Sequence, residues 1–238
     1  GNLKETGNQK SLKPDDIGFR LGPRINAVGR IADPQIVIEL LTTDDKEVAA
    51  IRAKQCQEIN QTRQELCAKI EQEAIAWCEE SQINFEEERV LVVVQPGWHH
   101  GVVGFVASRL VERYGVPVFI GSYEEEQESE ADLAMPPGMM SPSYSTTSTI
   151  RGSARGIPEF HVFEGLQFCD DLLGKYGGHK AAGCFSLPGE NLDKFRSRLS
   201  EFAHQCLEVH HLKPLITIDA EAEFKELNFD FYHQIDLL

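Results

Sequence analysis

The sequence predicts an α/β fold: one long helix, then alternating strands and helices. Three observations carry that expectation. Between Asp44 and Gln82 no Gly or Pro interrupts a chain whose apolar residues recur at three-, four- and seven-residue steps, the spacing of one helix face. The run Arg89–Gln95 (RVLVVVQ) is a continuous β-branched stretch, which fits a strand buried on both faces. A turn, a helical period and a second apolar run follow it, so strand, helix and strand form a right-handed crossover in a parallel pair.

Taken in order, residues 1–14 are polar and aperiodic and are expected to fray. Residues Ile17–Thr43 begin turn-rich, with Gly18, Gly22, Pro23 and Gly29 set among Arg20, Arg24 and Arg30, and continue from Pro34 as a short apolar helix. Asp44 is the predicted N-cap of the long helix, with Glu47 completing a capping box. Val48, Ile51, Ile59, Leu66, Ile70, Ala74 and Trp77 mark its apolar face. At about 35 residues it would span ~50 Å, a length that suits a connector between two bodies better than a core helix. A strand at Arg89–Gln95, a turn at 96–101, a helix at Val102–Tyr114 and a strand at Val116–Ile120 follow. Residues 122–148 combine an acidic run with Pro, Met, Ser and Thr and read as an insertion. Thr149–Ala154 is expected as a strand, Val162–Leu173 as a helix, Cys184–Leu187 as a strand and Asn191–Val209 as a helix. After Pro214, LITIDAEAEF alternates like a half-exposed strand, and the last eleven residues start a helix that looks cut short.

The composition narrows the class. With 41% hydrophobic and 26% charged residues among 238, the chain is ordinary for a globular protein. A formal charge of −15 argues against indiscriminate coating of nucleic acid, although a local basic groove remains compatible with it. Six cysteines stand at 56, 67, 78, 169, 184 and 206, without a C-x-x-C pair. They are expected to be buried, reduced thiols, which fits a cytoplasmic protein. Nothing resembles a signal peptide or a membrane-spanning run.

Two short motifs draw the functional reading: RGSAR at 151–155 and GGHKAAG at 177–183. Both read as loops offering backbone amides to an anion, since Gly permits close approach and successive N–H groups can form an anion nest. Ser153 adds a hydroxyl, Arg155 a planar fork matched to phosphate, and His179 a ring donor. The competing reading makes Gly177–Gly178 a helix C-cap. His99 and His100 precede a helix, where the N-terminus favours anions; at most one of them can point into a site, because neighbouring side chains diverge. Trp98 is expected in the core. No D-H-H string or other Asp/His cluster suited to metal-assisted phosphodiester hydrolysis is found. The pair Asp170–Asp171 sits on a predicted helix, and the H-x-x-D of His233 and Asp236 has no second ligand pair nearby.

The strings FRLGPRINAVGR at 19–30, GWHHGVVGFVASRLVERYGVP at 97–117, RGSARGIP at 151–158 and GGHKAAG at 177–183 resemble, in this order, the C-terminal half of the RecJ-type single-stranded-DNA-specific exonucleases of the DHH phosphoesterase superfamily. The resemblance implies a mixed-sheet DHHA1 domain after the connecting helix, flanked by truncated domains. Residues 1–43 would be a disordered start and the tail of a DHH domain, 44–82 the connecting helix, 83–212 the DHHA1 domain and 213–238 the start of an OB-fold. It further implies Mn2+ or Mg2+ held by a DHH domain outside this chain, and neither a catalytic nor a metal residue within it. Ser153 and Arg155 would bind a 5′ phosphate, Arg30 would help from across the cleft, Arg24 would be a weaker contributor, and Gly177, Gly178 and His179 would touch the strand backbone. In this string Ala154 and Gly156 replace the usual Gly and Ser, which would restrict a turn at Ala154 and remove a hydroxyl at 156.

The function so implied is the substrate-binding part of a 5′-to-3′ exodeoxyribonuclease of DNA repair and recombination, monomeric, with single-stranded DNA and single-strand-binding protein as partners. On its own the chain is expected to be inactive. Alternatives are an oligoribonuclease or cyclic-dinucleotide phosphodiesterase of the same superfamily, and a non-catalytic nucleic-acid-binding module.

Overall fold

The structure is a computed structural model and describes residues 13–124, 148–214, 218 and 221–235. Most of the 122–148 insertion, half of the strand expected after Pro214, and Asp236 lie outside the described residues. In the described part of that strand, 221–223 are irregular and a 3-10 turn begins at Phe224, because the residues there are exposed and pair with no strand among the described residues.

The stretch expected to be turn-rich is helical. A π-helical turn, Asp16–Leu21, runs directly into α1 (Gly22–Ile31), with Pro23 in its first turn. Pro is compatible with that position because the first helical amides have no intrahelical partner. A Cβ at Gly18 or Gly29 would meet nothing within 4 Å, so these glycines permit a helix although they do not favour it. Helix α2 (Gln35–Thr42) follows.

Helix α3 spans Lys46–Glu80, 35 residues. Its cap is Asp45 and not Asp44: the Asp45 carboxylate accepts from the amides of Glu47 at 2.8 Å and Val48 at 3.3 Å. The buried stripe is Cys56, Asn60, Cys67, Ile70, Ala74 and Cys78. Small residues lead it because α5 packs closely there, while Ile51, expected on this face, is 57% exposed.

A short helix α4 (Phe85–Glu88) leads into β1 (Leu91–Val94). Helix α5 (His100–Tyr114) connects it to β2 (Val118–Tyr123), and the two strands pair in parallel. Then come β3 (Thr149–Arg155), α6 (Val162–Phe168), β4 (Tyr176–Gly178), β5 (Ala182–Pro188), α7 (Leu192–Cys206) and α8 (Phe229–Ile235). The mixed sheet has the order β1-β2-β3-β5-β4, with every pairing after the first antiparallel.

Burial along the strands explains the layers. All four residues of β1 and the first five of β2 are buried. One face packs Val92, Val94 and Phe119 toward α6 and α7; the other packs Leu91, Val93 and Ile120 under α5, with α3 behind it. In β3 and β5 burial alternates. Ile150, Ala154, Phe185 and Leu187 join the α6/α7 core, whereas Arg151, Ser153, Cys184 and Ser186 lie on the opposite parity. Helix α5 covers that opposite face only as far as the border of β3. The half of the sheet beyond it keeps a polar face.

Four cysteines are buried, as expected, and Cys206 is half-buried. Cys184 departs from the expectation, because its parity in β5 is that of the polar face and it is exposed.

Candidate functional site

RGSAR is not a loop. It is the body of β3, a strand paired on both sides, so its backbone groups are taken up by the ladders to β2 and β5. An anion can therefore meet only side chains there. Ala154 sits in no turn: it is buried opposite Phe119 and Gly183, facing the core. Gly156 is fixed by packing, since a Cβ would stand 2.9 Å from both the Phe160 carbonyl oxygen and a Val162 methyl.

Gly177 and Gly178 form the end of β4, not a helix C-cap, because the preceding helical turn ends at Leu172. The two glycines differ. At Gly178 a Cβ would lie 2.4 Å from the Ala182 carbonyl oxygen, so the tight turn into β5 demands glycine. At Gly177 a Cβ would meet nothing within 4 Å, and the residue is exposed. Both glycines are exposed, and of the two Gly177 has open space where a side chain would stand. His179 is exposed, and its Nδ1 accepts from the Ala181 amide at 3.3 Å, which leaves Nε2 pointing away from that bond.

Strand register brings the motifs together. Ser153 pairs with Cys184, which pairs with Gly177. Arg155 pairs with Ala182, whose carbonyl accepts from the His179 amide at 2.8 Å. The Ser153 hydroxyl and the Cys184 thiol lie 4.0 Å apart. Beyond Cys184 and Gly177 the polar face opens into a groove of about 600 Å³ that also takes in Arg151, Lys175 and Ser186.

The border with α5 is set by two glycines. A Cβ at Gly104 would fall 3.0 Å from Arg155 Nη2 and 3.4 Å from Ser153 Oγ, so the bare helix surface lies against both side chains. A Cβ at Gly101 would fall 2.3 Å from the Arg30 carbonyl oxygen, so the end of α1 seats directly on the start of α5. This contact delivers Arg30 to the site. Desolvation lowers the Arg155 pKa, Cys184 acts against it, and the neighbouring Arg30 charge lowers it further. The Arg155 guanidinium bonds its own strand, Nη1 donating to the Ala154 carbonyl at 2.7 Å. Among the described residues no carboxylate pairs with Arg155 or Arg30. Arg155 is half-desolvated and Arg30 is exposed beside it; two like charges held near each other without a counter-ion are an arrangement that an anion would stabilise.

The other candidates fall elsewhere. Arg24 donates from Nε to Gln57 Oε1 at 2.6 Å and bonds the Arg20 carbonyl, so it is engaged between α1 and α3. His99 is the N-cap of α5, its Nδ1 accepting from the Gly101 amide at 3.0 Å. His100 adjoins the ion pair of Arg151 and Glu124, which is 2.5 Å long. Desolvation draws its pKa below the ordinary imidazole value, with Glu124 opposing. Trp98 is buried, its Nε1 donating to Glu73 at 2.7 Å. Asp170 accepts from the Tyr176 hydroxyl at 2.7 Å and Asp171 pairs with Arg198 at 2.9 Å. Among the described residues no group of three or more His, Cys, Asp or Glu side chains comes together, so they do not fit a divalent metal. No helix among them is long and apolar enough to cross a membrane.

Sequence reasoning missed Gly101, Gly104, Phe105, Arg63 and Cys184. The G-V-V-G-F string at 101–105 carried a signal, two small residues at helical spacing, but not what they touch.

The fold defines an α/β domain in which a five-stranded mixed sheet is covered on one half by α5 and left open on the other. The DHHA1 domain family matches residues 87–205, and the chain belongs to that family. Over 98% of its length it is 31% identical to the single-stranded-DNA-specific exonuclease RecJ of Bacillus subtilis (strain 168), of which it covers 27%. Over 94% it is 32% identical to the protein of the same name from Dickeya dadantii (strain 3937), of which it covers 37%. The crystal structure of RecJ in complex with Mg2+ from Thermus thermophilus superposes with a TM-score of 0.64 at 26% identity, covering 81% of this chain and 26% of that one. The crystal structure of exonuclease RecJ bound to manganese gives the same TM-score over 84% of this chain and 44% of that one. The chain thus spans about a quarter to less than half the length of these relatives.

Proposed function

We propose that this chain is the substrate-holding part of a 5′-to-3′ exonuclease specific for single-stranded DNA, serving DNA repair and recombination. The observation that carries the reading is the convergence of Ser153, Arg155 and Arg30 at one sheet border, with both guanidinia free of carboxylates among the described residues. A terminal phosphate carries the charge and the acceptor oxygens that two planar forks and a hydroxyl can engage. Gly177 and His179, at the same sheet levels two strands away, border the path of the backbone that follows.

The Mn2+ or Mg2+ of the relatives' structures would be held outside the described residues of this chain, where such an ion would supply activation of water and stabilisation of charge at phosphorus. What this chain contributes is orientation of the strand. The domain reading accompanies this one: 1–43 as a disordered start and the tail of a DHH domain, 44–82 as connector, 83–212 as the DHHA1 domain and 213–238 as the truncated start of an OB-fold. The exposure of Phe19 at 79% and Leu41 at 68% supports a neighbouring body against these helices. The reading also carries a monomeric cytoplasmic enzyme whose strands come coated with single-strand-binding protein.

A titration with single-stranded DNA bearing a 5′ phosphate or a 5′ hydroxyl tests it. Preference for the phosphate, lost in Arg155→Ala, is the expected result. Equal affinity for both ends would refute the reading, and metal-dependent release of nucleotides by the chain alone would refute the placement of the metals.

A further inference from the structure

Phe105, one residue beyond the glycine that lies against Arg155 and Ser153, is half-buried on α5. The Arg30 guanidinium carbon sits 4.6 Å from the centre of its ring. From a different element, α3, the Arg63 guanidinium carbon sits 4.9 Å from the same centre. Arg63 is braced from behind, its Nε and Nη2 donating to Oδ1 of the buried Asn60 at 3.3 and 3.1 Å. Other arginines of this region are neutralised by acids: Arg109 pairs with Glu71 at 2.7 Å and Arg52 with Glu39. Arg30 and Arg63 have an aromatic ring where those have a carboxylate.

The difference is chemical. A carboxylate would fix a guanidinium and cancel its charge, competing with any incoming phosphate. A ring fixes it through cation–π attraction, leaves the full positive charge, and leaves N–H donors free for an anion.

We propose that Phe105 is a positioning residue which holds Arg30 for the 5′ phosphate and Arg63 as a further binding residue for the phosphate backbone. This inference rests on the proposed function and adds to it two residues: Phe105 on α5, which the 97–117 string contains without marking a role for it, and Arg63 on α3, which lies in none of the four strings. It also gives Asn60, a buried polar residue on a long apolar stripe, a role: it sets the reach of Arg63.

The test uses the full chain and a short oligothymidylate with either a 5′ phosphate or a 5′ hydroxyl. Phe105→Leu is expected to weaken binding of the phosphorylated strand about three- to twentyfold, the range that a lost cation–π contact covers. Phe105→Tyr, which keeps the ring, is expected to retain binding, and Arg63→Ala to weaken both strands because it serves the backbone. In an Arg30→Ala/Arg63→Ala background, Phe105→Leu is expected to add almost nothing. An undiminished Phe105→Leu effect in that background overturns the inference, as does full binding by Arg63→Ala, a half-exposed site where folding is not at stake. Should the parent chain fail to prefer the phosphate, the proposed function falls and this inference with it. Should the parent prefer it, and Arg155→Ala lose that preference while Phe105→Leu does not, only the inference falls.

Discussion

Arg155 and His179 stand at the same level of the sheet although they lie two strands apart, because both are tied to Ala182: Arg155 as its ladder partner, His179 through an amide that donates to its carbonyl at 2.8 Å. The register of β5 therefore sets the distance between the two motifs. A slip of one residue would turn Cys184 to the core and bring Phe185 to the open face.

Replacing Arg155 by Ala should cost about 1–3 kcal/mol in binding of a 5′-phosphorylated single strand, roughly 5- to 150-fold. The 5′-hydroxyl strand should lose much less. Fluorescence anisotropy on both strands checks this.

Gly104→Ala separates the site from the fold. The added methyl would press on Arg155 Nη2 and Ser153 Oγ at 3.0 and 3.4 Å, and the first is the movable end of a long side chain. Thermal stability should hold or rise by up to about 1 kcal/mol, the usual gain of Ala over Gly in a helix. Phosphate-dependent binding should fall. Unchanged binding would mean that Arg155 does not work from the position it occupies against α5.

The paired glycines should behave oppositely. Gly178→Ala meets backbone at 2.4 and 2.6 Å and should destabilise the chain by about 1–3 kcal/mol. Gly177→Ala meets open space and should leave stability within about 0.5 kcal/mol. Any loss from Gly177→Ala should appear in strand binding, read by titration beside a denaturant melt.

Alkaline pH should weaken the fold in a defined window. Burial pushes the Cys78 thiol up to about 11 and the Cys169 thiol up to about 12, against about 8.5 for an unfolded thiol. Above that unfolded value the unfolded chain sheds protons that the native chain keeps. Stability then falls as pH rises, by up to about 1.4 kcal/mol per pH unit for each thiol, until the native value is passed. Urea melts at a series of pH values should show the slope, and Cys78→Ala with Cys169→Ala should flatten it.

Thiol reagents should find Cys184 first, since Cys56, Cys67, Cys78 and Cys169 are buried. Because Cys184 lies 4.0 Å from the Ser153 hydroxyl, a phosphorylated strand should protect it from labelling, as followed by mass spectrometry. Equal labelling rates with and without the strand would argue against occupation of this face.

Local sequence was enough for every element whose residues decide their own conformation. The unbroken α3, the β-branched β1 and the alternation of β5 each follow from spacing and side-chain shape, and so does the family membership that four short strings announce. Sequence could not say that Gly18 and Gly29 stand in helices, because glycine is permissive in both states and only the neighbouring helices decide. Nor could it say that RGSAR is a strand consumed by its neighbours: a central position depends on which strands arrive from elsewhere in the chain. The site itself was decided by tertiary structure. Arg30, Arg63, Phe105 and Arg155 come from four elements separated in sequence, and only close packing of α1 and α3 on α5, and of α5 on β3, brings them near one another.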